Sequence, residues 1–306
     1  MKRLNAKNYE AMFQDAACAG VNVDLIEKND VRLPKREAHG HKYSFGRALI
    51  IAGSEGFSGA PALAANACER SGAGLTQLVV PRSIYSIAAA RCDGAVVRPL
   101  EADSSGTFSR SASDAVLPLL ADANACLIGP GLGRTEGVRA LVLNVIRDTS
   151  CPLILDADAL TLVGASSLRL LDKSRAPLIV TPHEGEFQRI GGDLSSGRLN
   201  GASGFCGTHQ NVVLVLKGHG TLVSRGKNHA ANLTGTAALA KGGTGDVLAG
   251  VLCALLAQGI EPLEAARSAV YLHGLAGDLA EAETGPYSLT PSDVIRYLPK
   301  AFCSIQ

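Results

Sequence analysis

Thr234-Gly-Thr-Ala-Ala-Leu-Ala-Lys-Gly-Gly-Thr-Gly-Asp246 runs directly into Val-Leu-Ala-Gly-Val-Leu-Cys-Ala-Leu-Leu, residues 247–256. The second stretch holds small and branched residues with no proline before Pro262, so it reads as a buried helix from Val247 to Gln258. Gly235, Gly242, Gly243 and Gly245 ahead of it let the backbone turn tightly and bare its N–H groups. Free N–H groups at a helix start, helped by the helix dipole, make an anion site. Asp246 stands at the helix mouth, where a carboxylate either caps the helix or acts as a general base beside a bound phosphate.

Working outward, the same pairing of apolar run and polar, glycine-bearing loop recurs. Strands are predicted at Arg47–Gly53, Leu75–Val80, Ala125–Ile128, Pro152–Leu155, Pro177–Val180 and Asn211–Leu216, each a short continuous apolar run of the kind covered on both faces. Helices are predicted over Ala11–Ala19, Ala60–Ser71, Gly137–Arg147 and Pro262–Ala282. A last one begins near Thr290, capped by Ser292 or Asp293. Leu222 to Asn232 reads as a polar hairpin, and Gly191 to Gly207, rich in Gly and Ser, as a mobile insertion. Strands alternating with helices give an α/β fold with a mostly parallel sheet wrapped on both faces. Ligands of such sheets bind beyond the carboxyl ends of the strands, so these loops should line one pocket.

Each loop has a bland reading and a chemical one. Gly129-Pro-Gly-Leu-Gly133 is either a strand-to-helix turn or a point of close approach for a phosphate or sugar; it lacks the GxGxxG spacing of dinucleotide folds. Lys217-Gly-His-Gly-Thr221 is either a tight turn or a nucleotide contact with lysine supplying the charge. Asp156 and Asp158 point to one side if the chain stays extended, where they bind a metal or a hydroxyl; otherwise they cap a helix from Ala159. Thr181-Pro-His-Glu-Gly-Glu186 gathers His183, Glu184 and Glu186, suited to a substrate amide or hydroxyl and to ordering Mg²⁺ waters. His39, His41 and His273 read as structural or loop residues.

Composition narrows the function classes. A chain of 306 residues sits near the upper limit for one core, and 46% hydrophobic content is enough to build it. A net charge of +1 argues against nucleic acid or an anionic membrane held by bulk electrostatics. Eight scattered cysteines show no zinc spacing and read as reduced, mostly buried thiols of a cytoplasmic protein. The first twenty residues lack an apolar signal core, and no uncharged run reaches membrane-spanning length.

Taken together the motifs resemble the ribokinase-like superfamily and, within it, the NAD(P)H-hydrate dehydratase family. Ribokinase-like kinases share Gly-Thr-Gly-Asp. More specific are Gly129-Pro-Gly-Leu-Gly133, Thr181-Pro-His-Glu-Gly-Glu-Phe187 and Lys241-Gly-Gly-Thr-Gly-Asp-Val-Leu248, in that order, with His41-Lys42, Ala52-Gly-Ser54, Leu155-Asp-Ala-Asp-Ala-Leu160 and Tyr271-Leu-His-Gly274. The resemblance implies a three-layer α/β/α domain over residues 41–306 behind a leader of residues 1–40, too short for the epimerase domain that many relatives carry. It implies dehydration of the S epimer of hydrated NADH or NADPH at the expense of ADP, or of ATP, giving AMP and phosphate from ADP, with Mg²⁺. A separate epimerase would handle the R epimer, and the protein would be a homo-oligomer, a tetramer.

Residue by residue, the resemblance makes Asp246 the base and the backbone of Gly243, Thr244 and Gly245 the anion hole. Lys217, Gly218, His219, Gly220, Thr221 and Gly245 would contact the adenine nucleotide. Ala60, Gly131, His183 and Asp246 would line the hydrated nicotinamide, and Glu186 would order Mg²⁺. Thr234-Gly-Thr236 departs from the Thr-Gly-Asn common in the family. Two other classes fit the shared motif: a kinase for a vitamin-precursor alcohol, and a non-catalytic adenine-nucleotide-binding protein.

Overall fold

The computed structural model describes residues 21–306, so the helix expected over Ala11–Ala19 lies outside the described residues. Ten strands form one sheet in the order β1-β10-β9-β8-β7-β6-β5-β2-β3-β4. In chain order they are β1 Asp24–Leu25, β2 Arg47–Ile51, β3 Leu75–Pro81, β4 Val96–Leu100, β5 Ala125–Ile128, β6 Leu153–Leu155, β7 Leu178–Val180, β8 Val212–Leu216, β9 Thr221–Arg225 and β10 Asn228–Asn232. From β4 across to β8 every pairing is parallel; β8–β9 and β9–β10 are antiparallel, and β1 adds a parallel edge beside β10.

The α-helices are α1 Gly59–Arg70, α2 Tyr85–Arg91, α3 Ala112–Asp122, α4 Glu136–Asp148, α5 Asp158–Val163, α6 Arg169–Lys173, α7 Glu184–Arg189, α8 Arg198–Thr208, α9 Thr244–Ala257, α10 Pro262–Thr284 and α11 Pro291–Ile305. They cover both faces. Alternation along each strand divides the core: Ala48, Ile50 and Ala52 pack with α1 and α9 to α11, while Leu49 and Ile51 pack with α3 to α8. In β8, Val213 and Val215 face the first layer and Val212, Leu214 and Leu216 the second. A strand buried on both faces must be apolar at every position, as the sequence of β8 is.

The helix after the glycine motif is the centre of the first layer, and nearly every side chain from Val247 to Ala257 is buried. It lies so close to α1 that a Cβ on Gly250 would land on the carbonyl of Ala64. The alanine-rich composition of α1 and the glycine in α9 therefore have one cause, a close helix–helix approach.

Several expectations change in detail. Asp246 is not the cap of α9: the N-cap is Gly243, in the left-handed region at φ 96°, and Asp246 lies in the first turn. The cap of α11 is Thr290, whose side chain accepts from Asp293 N while Asp293 reciprocates, so neither Ser292 nor Asp293 is the cap itself. The Gly191–Gly207 segment is no loose insertion, since most of it folds as α8 against β8 and β9 and buries Leu199, Ala202, Phe205 and Cys206. β4 escaped the sequence reading because Arg98 and Pro99 interrupt its apolar pattern, which a sheet edge tolerates. Leu222 to Asn232 is a hairpin, but its strands bury Leu222, Val223, Ala230 and Ala231. In the leader, Ile26 and Val31 join the core beside β1. The seven cysteines among the described residues are all unpaired, and five are buried.

Candidate active site

Because β2, β5, β6, β7 and β8 are neighbours and parallel, the loops at their carboxyl ends lie side by side. The loops after β2 and β5 form one wall. Gly53 N donates to Pro130 O at 2.8 Å, and Ser54 Oγ donates to Gly131 O at 2.8 Å. Gly131 holds φ 61°, and a Cβ there would stand 2.9 Å from that of Phe57 and 3.2 Å from that of Ala60. Only glycine fits so tight a left-handed position. Ala60 and Gly131, two residues predicted to line the substrate, therefore share one surface, with Phe57 exposed beside them.

The centre is a cluster of charges. Asp156, 1% exposed at the end of β6, accepts at Oδ1 from Lys217 Nζ and from Thr181 Oγ1, both at 2.7 Å. Lys217 Nζ is also 3.8 Å from Glu186 Oε2. Burial opposes the lysine's charge, but Asp156 and Glu186 outweigh it and hold its pKa above the ordinary value. A buried ammonium paired in this way stays a fixed cation. It comes within 3.5 Å of where a Cβ on Gly245 would be, which places it at the start of α9.

Asp156 and Asp158 do not act as a pair. Ala157 turns the chain between them at φ 49°, the one non-glycine residue with positive φ among those described. Such strain persists only where the surroundings enforce it. Asp158 has different partners, accepting from Gly133 N at 3.1 Å and Arg134 Nε at 2.8 Å, while its charge, like that of Asp156, raises the Asp246 pKa. Among the described residues no three His, Cys, Asp or Glu side chains gather in an arrangement that could hold a metal ion.

His183 carries a job the sequence did not reveal. It caps α7, its Nδ1 accepting from Gly185 N at 3.0 Å and Glu186 N at 3.3 Å. Glu186 Oε2 accepts from His183 N at 2.9 Å, closing a capping box, and its other oxygen lies 3.4 Å from His183 Nε2. The imidazole is still 56% exposed, so part of the ring stays open beside the cap.

At the mouth of α9, Thr244 N reaches Lys241 O at 3.4 Å and Val247 N reaches Gly243 O at 3.2 Å; the N–H groups of Gly245 and Asp246 find no acceptor among the described residues. These are the orphan donors of a helix start. Lys241 is turned away from them, its Nζ donating to the carbonyls of Tyr287 and Leu289 at 2.6 Å each, so it ties down the loop. Burial is the main reason that the Asp246 carboxyl is pushed up to about 7; Asp156 adds to the rise and Lys217 opposes it. A carboxyl there changes charge near neutral pH, the range suited to a general base.

His273, read as structural, is buried on α10 with Nε2 unpartnered, and burial depresses its pKa to about 4. Thr236, where the family commonly has asparagine, caps a short turn by accepting from Ala238 N at 3.1 Å. The sequence reading did not single out Arg198 or the Thr181–Asp156–Lys217 chain of contacts. Their only sequence signal is that Asp156, Thr181 and Lys217 each end or follow a strand.

Open N–H donors, a fixed cation and a carboxyl that ionises near neutrality lie together at the carboxyl edge of a parallel sheet. That is the layout of a ribokinase-like α/β protein, whose fold this chain has. The comparisons sharpen the class. The sequence model of the NAD(P)H-hydrate dehydratase family matches residues 48–300. The chain is 35% identical over 290 residues to the ADP-dependent (S)-NAD(P)H-hydrate dehydratase of Bacillus subtilis, covering 92% of this chain and 99% of that protein. It superposes on a crystal structure of the ADP/ATP-dependent NAD(P)H-hydrate dehydratase from Bacillus subtilis, co-crystallised with ATP/Mg²⁺, with a TM-score of 0.78 and 31% identity over 93% of this chain and 99% of that one. It is also 37% identical over 273 residues to the bifunctional NAD(P)H-hydrate repair enzyme of Moorella thermoacetica; 88% of this chain is matched, but it spans about half the length of that relative, 51%. The chain belongs to the NAD(P)H-hydrate dehydratase family.

Proposed function

We propose that this chain repairs hydrated NADH and NADPH, dehydrating the S epimer at the expense of ADP. The observation that carries the reading is the position of Asp246, half-buried in the first turn of α9 beside unpaired backbone N–H groups and the Lys217 ammonium. Asp246 takes the proton of the ring hydroxyl as that oxygen attacks the terminal phosphorus of ADP, and AMP leaves. The backbone of Gly243, Thr244 and Gly245 holds the charge of the transferring phosphoryl; the Gly245 N–H is open for this, whereas the Thr244 N–H must exchange its long contact with Lys241 O for the phosphoryl. Phosphate then leaves with its C–O electron pair, and loss of a proton from the neighbouring ring carbon to solvent or to the departing phosphate restores the double bond.

Ala60, Gly131 and His183 hold the nicotinamide side. Lys217, Gly218, His219, Gly220, Thr221 and Gly245 hold the nucleotide. Mg²⁺ would neutralise charge on the nucleotide phosphates. The residues present fit a metal carried mainly by phosphates and water, because the Asp156 oxygen nearest the site is taken by Lys217 and Thr181, and Glu186 is the carboxylate at its edge. This reading includes action as a homotetramer in the cytoplasm, with a separate epimerase converting the R epimer. Among the described residues no helix is long and apolar enough to cross a membrane.

Product analysis tests the reading. Incubation with hydrated NADPH and ADP should release AMP and inorganic phosphate in equal amounts with consumption of one epimer. A stable phosphorylated alcohol would instead indicate a kinase of the same fold, and nucleotide binding without turnover a non-catalytic protein.

A further inference from the structure

Arg198 opens α8, in the segment that the sequence presents as a loose insertion. Its side chain is 23% exposed, and its guanidinium is enclosed by the turn between β8 and β9. One terminal nitrogen donates to the carbonyls of His219 at 2.6 Å and Gly220 at 3.4 Å; the other donates to those of Leu216 at 2.9 Å and Lys217 at 3.3 Å. Nε lies 3.2 Å from Glu184 Oε1 on α7. Four backbone carbonyls of one turn thus converge on a single cation. Gly218 permits this: at φ 151° it leaves the space in which a Cβ would stand 2.9 Å from the guanidinium.

The consequence follows from peptide geometry. In a trans peptide the N–H points opposite to the carbonyl that precedes it. With the carbonyls of Lys217 and His219 drawn toward Arg198, the Gly218 N–H is turned across the loop, where it meets Thr221 Oγ1 at 3.4 Å, and the Gly220 N–H is turned the same way. Glu184, whose carboxylate lies beside Nε without a hydrogen bond to it, adds a nearby negative charge that favours this placement of the guanidinium. A planar fork with five donors can gather four carbonyls; a single ammonium cannot.

We propose that Arg198 is a positioning residue for the nucleotide co-substrate, holding the Lys217–Thr221 turn in its binding shape. The proposal rests on the reading of that turn as the nucleotide site. Arg198 acts through the turn and touches no reacting atom.

The test measures ADP binding by calorimetry and steady-state constants for ADP and hydrated NADPH, on wild type, Arg198→Ala and Glu184→Gln. Arg198→Ala should raise the Kd and KM for ADP about tenfold, equivalent to ~1.4 kcal/mol, and leave the KM for the hydrate within about twofold. Millimolar methylguanidinium, entering the space left by the side chain, should restore ADP affinity in Arg198→Ala, whereas the same concentration of methylammonium should not. Glu184→Gln, an exposed change that keeps the four carbonyl contacts, should raise the KM for ADP about threefold; it remains informative where Arg198→Ala does not fold. ADP constants unchanged in the folded variants would overturn the proposal while the nucleotide site stands. Equal losses for ADP and hydrate with no guanidinium rescue would overturn it as well, reducing Arg198 to general stability. A wild type that binds neither ADP nor ATP would overturn the underlying reading, and the proposal with it.

Discussion

Replacing Asp246 by asparagine should stop the reaction and stabilise the protein, and the second effect has a pH signature. Loss of solvent around it pushes the carboxyl up to about 7 in the fold, from an ordinary value of 3.8. Between those values the native state holds a proton that the unfolded chain has released. Wild-type stability therefore falls as pH rises through this window, by ~1.4 kcal/mol per pH unit, and the full cost is present above about 7. The gap of about 3 pH units corresponds to ~4 kcal/mol, an upper figure because the side chain keeps some contact with solvent. Asparagine fills the same space without the charge. Asp246→Asn should thus melt close to wild type near pH 4 and up to roughly 6–8 °C higher near pH 8 for a chain of this size. Activity should drop about 100- to 10,000-fold, the range for losing a general base, with ADP binding retained. Thermal melts at both pH values, with turnover assays beside them, provide the measurement. A variant that melts below wild type near pH 8, or by the same offset at both pH values, would refute the idea that the fold buries this carboxylate at a cost in order to keep its base.

The remaining predictions concern neighbouring groups. The kcat/KM for the hydrate should climb about tenfold per pH unit to a plateau above about 7, since Asp246 must be ionised to act; a flat profile from about pH 5 to about pH 8 would contradict this. Lys217→Met should destabilise by ~3–5 kcal/mol, because it strands the buried Asp156 without its cation. Adding Asp156→Asn should recover much of that stability but no activity, and a Lys217→Met protein as stable as wild type would show that the pair is not buried as described. Gly131→Ala forces a side chain into a left-handed position against Phe57 and Ala60, at ~1–2 kcal/mol of local strain. It should raise the KM for the hydrate about tenfold and leave that for ADP within about twofold; the reverse pattern would move the substrate wall elsewhere.

The parallel sheet and most helices were legible because a strand buried on both faces leaves an unbroken apolar run, as in Val212–Leu216, and because glycine, proline and threonine mark the ends. The glycine motif, the wall of Ala60 and Gly131, and the meeting of Lys217 with Gly245 follow from loops at one sheet edge. What the sequence hid are choices among local partners. Asp156 and Asp158 look like a pair until Ala157 turns the chain between them, and a positive φ at alanine has no sequence signature. His183 offers the same imidazole to a helix cap or to a substrate, and only geometry shows that the cap takes one edge. Arg198 lies in a glycine- and serine-rich stretch whose composition suggests mobility, yet it closes on carbonyls some twenty residues away, a contact set by tertiary packing alone.

The most direct measurement is the near-ultraviolet absorbance of dihydronicotinamide, followed from hydrated NADPH containing both epimers with Mg²⁺ and either ADP or ATP. The account predicts a rise with ADP that stops when the S epimer is consumed, resumes on adding an epimerase, and is absent in Asp246→Asn. No rise with either nucleotide, from folded protein that binds adenine nucleotide, would contradict it.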